Sequence, residues 1–123
     1  MSFAPGHVSL TFAVWPDEDP LKMGSTGIGL VLPQGVYCAV VDEQSESSEN
    51  VVICGGKQIK DPVTLRALEL IGFGNRGLTI YLRRDLPLGF GLGISGSSAL
   101  AACLELEKDF EKSVKAAHQA EVE

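Results

Sequence analysis

The sequence predicts an α+β fold in one domain. Three observations carry it. β-favouring apolar runs fill the first two-thirds of the chain, Ala- and Leu-rich helical patterns fill the last third, and a crowd of glycines marks the junction. Strands first and helices later argue against a doubly wound parallel sheet. The length, 123 residues, fits one domain, and 45% hydrophobic with 21% charged residues is globular rather than disordered composition.

Each element follows in order. Val8 to Val14, VSLTFAV, reads as a strand that stops at Pro16. Residues 16–25 are rich in Asp, Pro and Gly and read as loop. Ile28 to Leu32 and Val36 to Val41 are two apolar runs joined by Pro33-Gln34-Gly35, which predicts a hairpin. Asp42 to Asn50, DEQSESSEN, reads as a solvated acidic turn. Val51 to Ile53 is a short strand ended by Gly55-Gly56. Asp61 before Pro62 is an N-cap signal for a helix over 62–71 that ends at Gly72. Leu78 to Leu82 is a further strand. A glycine loop follows, then helix from Ser95 to Glu107 and again from Glu111 onward.

The totals exclude several classes of function. A net charge of −6, from 16 acidic and 10 basic residues, argues against nucleic acid or an anionic membrane as main partner. It leaves room for a local anion site built from backbone N–H groups. The 3 cysteines, Cys38, Cys54 and Cys103, are odd in number and form no CxxC, so disulfide scaffolds and zinc modules fit poorly. Free thiols suit a reducing cytoplasm. No apolar run is long enough to span a membrane, and the start lacks the basic flank of a signal peptide. The expectation is a soluble, cytoplasmic chain.

Glycine is the unusual entry in the composition, 14 residues in all. The segment from Pro87 to Leu100, PLGFGLGISGSSAL, follows a strand and opens a helix. Gly89, Gly91 and Gly93 fall at every second position and let the backbone curl with its N–H groups inward. Ser95 falls near the helix start, where unpaired N–H groups and the positive dipole end favour phosphate. Its hydroxyl is also placed to reach a metal held by phosphates. A Walker loop is excluded, because no Lys lies between Arg84 and Lys108. The match of Gly91 to Gly96 with GxGxxG is weak evidence for a dinucleotide fold, since the preceding strand is late in the chain. A plain glycine connection before a helix is the alternative.

Pro87-x-x-x-Gly91-Leu92-Gly93-Ile94-Ser95-Gly96 resembles the phosphate-loop motif of the GHMP kinase superfamily, P-x-x-x-G-L-G-S-S-A. Ile94 and Gly96 depart from that pattern in the direction of its archaeal pantoate-kinase branch. Ala4-Pro5-Gly6-His7-Val8 is similar to that branch's APGH segment, residues Asp19 to Gly29 to its DPL-x-x-GS-x-G-x-G segment, and residues Ala117 to Glu123 to its AH-x-AEV segment. These motifs run in order from Ala4 to the last residue.

The resemblance implies a mixed sheet with helices packed on one face, as in the N-terminal domain of GHMP kinases. It implies an ATP-dependent kinase that phosphorylates pantoate in coenzyme A biosynthesis, with ATP and Mg²⁺ as cofactors. By carry-over, Pro87, Gly89, Gly91, Leu92, Gly93, Ile94, Ser95, Gly96 and Ser97 cradle the ATP phosphates. Ser95 and Glu121 hold the metal, His118 is the catalytic candidate, and His7, Gly24, Ser25 and Gly27 border the acceptor. Val114, Ala117, His118 and Glu121 share one helical face, which can border a site or a core.

In the family a glycine-rich turn ending in Asp, the candidate base, follows the AEV segment, and a second domain closes the site. Neither is present in residues 1–123. The expectation is therefore a truncated N-terminal kinase domain, inactive alone, that pairs with a C-terminal half or with a second copy. Two rivals stay open: a non-catalytic kinase-like protein that binds nucleotide or a partner, and a GHMP kinase for another alcohol such as mevalonate, homoserine or shikimate.

Overall fold

The computed structural model describes residues 1–42 and 48–123, with position 12 described by its backbone. The predicted acidic turn lies partly outside the described residues, at 43–47. Among the described residues, five strands and three helices follow one another as β1 (Ser2–Trp15), β2 (Gly24–Val41), β3 (Val51–Cys54), β4 (Lys57–Ile59), α1 (Pro62–Leu70), β5 (Thr79–Arg84), α2 (Ile94–Leu106) and α3 (Phe110–Val122). One sheet holds the strands in the order β1-β2-β5-β3-β4. It is mixed: β3 and β5 run parallel and the other neighbours antiparallel. The parallel pair needs a crossover, which β4 and α1 supply.

The predicted hairpin at Pro33-Gln34-Gly35 is corrected. The chain does not reverse there, and β2 is continuous from Gly24 to Val41. The register against β1 jumps from Pro5↔Gly35 to His7↔Val31, so Leu32, Pro33 and Gln34 bulge opposite Gly6. Pro33 lacks an N–H to give a ladder, and the bulge leaves none required. Pairing with β5 begins only at Val36. A side chain at Gly35 would overlap the Ala4 carbonyl, so the strands meet closely here. The reversal occurs instead between β1 and β2, at residues 16–23. There the Asp17 carboxylate accepts the Asp19 N–H at 2.8 Å, and the Asp19 carboxylate accepts the Leu21 N–H at 3.0 Å. Such Asx turns reverse a chain without Pro-Gly chemistry.

The sequence reading also missed β4. Gly55 and Gly56 have φ of 63° and 78°, a pair of left-handed residues that joins β3 to β4 as a two-residue hairpin. Helix α1 behaves as predicted. The Asp61 carboxylate accepts the Thr64 N–H, and Phe73 and Gly72 N–H close on Leu68 and Glu69 carbonyls.

The helices pack against the sheet. α2 lies on β1, β2 and β5, and α1 and α3 flank it. α2 carries Ala99, Ala101, Ala102 and Cys103, all fully buried, so its small side chains admit both neighbouring helices and the sheet. Val36, Cys38, Val52, Ile80 and Leu82 fill the strand side of the core. Beyond that layer β1 and β2 continue as an exposed arm. It presents Val14, Trp15 and Ile28 at 66%, 58% and 68% exposure. Among the described residues, no helix is long and apolar enough to cross a membrane.

Candidate active site

The glycine loop leaves β5 at Arg84 and enters α2 at Ile94. Gly89, Gly91 and Gly93 have φ of 83°, 71° and 70°. Leu88, Phe90 and Leu92 keep negative φ, so the sign alternates along the loop, the pattern from which anion-binding nests are built. A Cβ on Gly89 or Gly91 would meet open space, whereas a Cβ on Gly93 would overlap the His7 ring. The His7 N–H also donates to the Leu92 carbonyl at 2.9 Å. His7 lies inside β1, and it fastens the loop to that strand from both ring and backbone.

Gly93 itself caps α2 in the left-handed conformation, with no side chain on the helix's first N–H groups. These groups stay available at the dipole's positive end. Ser95 follows in the first turn, and its hydroxyl donates to the Glu121 carboxylate at 3.0 Å. Gly96 leaves room beside them, since a Cβ there would lie 4.0 Å from the Glu121 carboxyl carbon. Among the described residues no group of three or more His, Cys, Asp or Glu could hold a metal ion. Mg²⁺ needs less: one or two protein oxygens suffice when phosphates and water complete its shell. The Ser95–Glu121 pair fits that demand as a donor set.

Helix α3 joins the glycine loop to a second region. Three residues before Glu121, His118 presents Nε2 to the Met23 carbonyl at 2.7 Å. A carbonyl can only accept, so Nε2 carries the proton in this contact. The ring also covers Gly24, where a Cβ would sit 3.0 Å from His118 Cε1. His118 therefore holds the Met23–Gly24 segment. A cleft of about 370 Å³ opens there, lined by Trp15, Lys22, Met23, Gly24, Ser25, Thr26 and His118. A neighbouring cleft of about 170 Å³ includes His7, Ser9, Ser25, Thr26 and Gly27. The two share Ser25 and Thr26, so all four predicted acceptor residues border one continuous region.

Other predicted residues face elsewhere. The Ser97 hydroxyl is buried and lies 2.6 Å from the Pro5 carbonyl and 2.9 Å from that of Gly93. Its one proton is thus committed to the protein. Ile94 is buried in the core, Leu92 packs against it, and Pro87 is exposed at the loop's start. Sequence reading assigned no role to Trp15, whose indole N–H donates to the Thr26 hydroxyl at 2.8 Å at the cleft wall. It also assigned none to Arg84 at the loop's base. A further cleft, about 420 Å³ between Leu21, Leu70 and the outer face of α3, contains none of the predicted residues. Its lysines 112 and 115 are already paired with Glu107 and Glu111.

Comparison with known proteins agrees with the motifs. The chain is 30% identical to a pantoate kinase of Methanocaldococcus jannaschii and 28% identical to one of Thermococcus kodakarensis, each over 98% of this chain. A third pantoate kinase, from Methanospirillum hungatei, is 24% identical over 80% of the chain. In sequence the chain is similar to these pantoate kinases along nearly its whole length. It spans less than half of the first two pantoate kinases, 45% and 44% of their lengths. A solved structure described as a phosphotransferase related to the CoA biosynthesis pathway superposes with a TM-score of 0.81 and 26% identity. That match covers 98% of this chain and 44% of the other. The expected α+β fold, a mixed sheet with helices packed on it, is thus shared with a phosphotransferase. No protein-family model matches the chain.

Proposed function

We propose that this chain is the ATP-binding, N-terminal part of a small-molecule kinase whose acceptor is pantoate, in coenzyme A biosynthesis. The observation that carries the reading is the placement of α3. One helix sets Glu121 against Ser95 at the glycine loop and His118 against the Met23–Gly24 segment. Phosphate side and acceptor side are thereby held at a fixed spacing, which phosphoryl transfer requires above all else.

In this reading the loop N–H groups of Gly89 to Gly96 bind the nucleotide phosphates. Ser95 and Glu121 hold Mg²⁺, which when bound neutralises phosphate charge. His7, Gly24, Ser25 and Gly27 border the acceptor. His118 orients the acceptor segment through the Met23 carbonyl. Neither cleft has a carboxylate in its lining. The 123 residues alone are therefore expected to turn over pantoate slowly or not at all. That same observation favours the second reading, a non-catalytic nucleotide-binding protein of this fold. The arm's exposed apolar side chains offer a surface that a further part, such as the unmatched length of the relatives, or a second copy would cover. Three free cysteines suit a cytoplasmic setting.

The test is calorimetric and enzymatic together. Mg·ATP is titrated into the folded chain, then pantoate, mevalonate, homoserine and shikimate are each added to the nucleotide complex. Saturable Mg·ATP binding with heat from pantoate alone supports the reading. Heat from another of the four moves the acceptor assignment to that alcohol. Pantoate-dependent ADP formation at an enzyme-like rate by the 123 residues contradicts the expected inactivity.

A further inference from the structure

Arg84 is the last residue of β5, where the glycine loop begins, and Ser98 lies in α2, just after the loop ends. One guanidinium touches both sides of that gap. Its Nε donates to Ser98 Oγ at 3.1 Å, and its Nη2 donates to the Asp61 carboxylate at 2.9 Å. Every partner is itself fixed. Ser98 donates onward to the Ile94 carbonyl at 2.7 Å. Asp61 accepts the Thr64 hydroxyl at 2.8 Å and the Thr64 N–H at 3.2 Å, capping α1. Asp61, Thr64 and Ser98 are buried, and the Arg84 side chain is only 13% exposed.

We propose that Arg84 is a positioning residue that locks the two ends of the glycine loop to each other and to the start of α1. The proposal rests on the phosphate-binding reading of the loop. Residues 87–91 are exposed, so the loop's shape depends on how its ends are held. The α2 N–H groups converge on a ligand only if α2 keeps its offset from β5. A planar fork with two buried partners fixes that offset in a way a single ammonium cannot. Small misplacements of binding groups are costly in such sites.

Two variants keep the fold within reach. Arg84→Lys retains the pair with Asp61 and loses the fork. The double change Arg84→Met with Asp61→Asn removes the ion pair as a unit and keeps an N-cap at α1. The experiment reads Mg·ATP and tripolyphosphate binding by calorimetry, and amide exchange of Ser97, whose N–H bonds Gly93 at the loop's exit. Both variants should bind at least fivefold more weakly and exchange Ser97 faster. Arg66→Lys, on the α1–α3 surface, should leave affinity unchanged. Should either variant fail to fold, Ser98→Ala removes the loop-side contact alone and carries the same expectation. Affinity within twofold of the unaltered chain, with unchanged exchange, overturns the role of Arg84. If the unaltered chain binds neither probe, the phosphate reading fails, and Ser97 exchange alone decides whether Arg84 holds the loop.

Discussion

Replacing Gly93 by Ala tests whether the loop's geometry is locked by His7. Gly93 has φ of 70°, and an added Cβ would overlap the His7 ring. The left-handed conformation alone costs an L-residue about 1–2 kcal/mol. Forcing the ring aside adds about 1–3 kcal/mol, the usual cost of overpacking. Gly91 is the internal control: φ is 71°, and nothing lies within 4 Å of its Cβ position. Gly91→Ala should therefore cost about 1–2 kcal/mol and Gly93→Ala about 2–5 kcal/mol. At this chain length each kcal/mol lowers Tm by roughly 3–6 °C. Urea unfolding of Gly93→Ala, His7→Ala and the double variant then gives the coupling. The double variant should recover the overlap part, a coupling of about 1–3 kcal/mol. Additivity within about 0.5 kcal/mol, or equal costs at Gly91 and Gly93, would refute the contact.

Further outcomes follow from the same contacts. Asp61 and Asp109 are both N-caps, but Asp61 also pairs the buried Arg84. Asp109→Ala should cost about 1 kcal/mol and Asp61→Ala about 3–5 kcal/mol in chemical unfolding. Burial pushes the Cys38 and Cys103 thiols up to about 12, while Cys54 is half-buried. A thiol reagent near pH 8 should label Cys54 first and the other two only on unfolding; three equal rates would contradict this. Hydrogen bonds from Arg66 and Gln119 hold the Glu123 carboxyl below its usual range, so its contribution is present at neutral pH. It is lost as pH falls from the unfolded value of about 4.3 through the lower folded one. Glu123→Gln should therefore flatten the acid limb of the stability curve slightly. His118→Ala should free the Met23–Gly24 segment and raise its amide exchange while leaving the Ser95–Glu121 contact in place.

What the sequence made legible was local. Glycine is the residue that takes positive φ without a Cβ penalty, so the crowded run from Gly89 to Gly93 marked the loop. The Asp61-Pro62 cap and the Gly72 stop were readable because helix ends are marked by single residue types. Pro33-Gln34-Gly35 misled because a bulge and a turn use the same residues. Only the partner strand, through the close approach of Ala4 to Gly35, decides between them. The strand β4 has three residues, too few for a period to show. Arg84 and Asp61 lie 23 positions apart, and His118 and Met23 lie 95 apart, so neither contact leaves a local pattern. Residue-type matching nominated His118 and Ser97, but the fold shows what their polar atoms touch: carbonyls of the chain itself.

The most direct test of the central claim is a nitrogen-15 NMR titration of the folded chain with ATP, with and without Mg²⁺. The phosphate-loop account predicts shifts concentrated at the amides of Gly89, Gly91, Gly93, Ser95 and Gly96, with the Ser95 change dependent on Mg²⁺ and lost in Glu121→Gln. A folded chain whose loop amides stay unmoved at millimolar nucleotide, or whose shifts fall in the cleft between Leu70 and Lys112 instead, would contradict it.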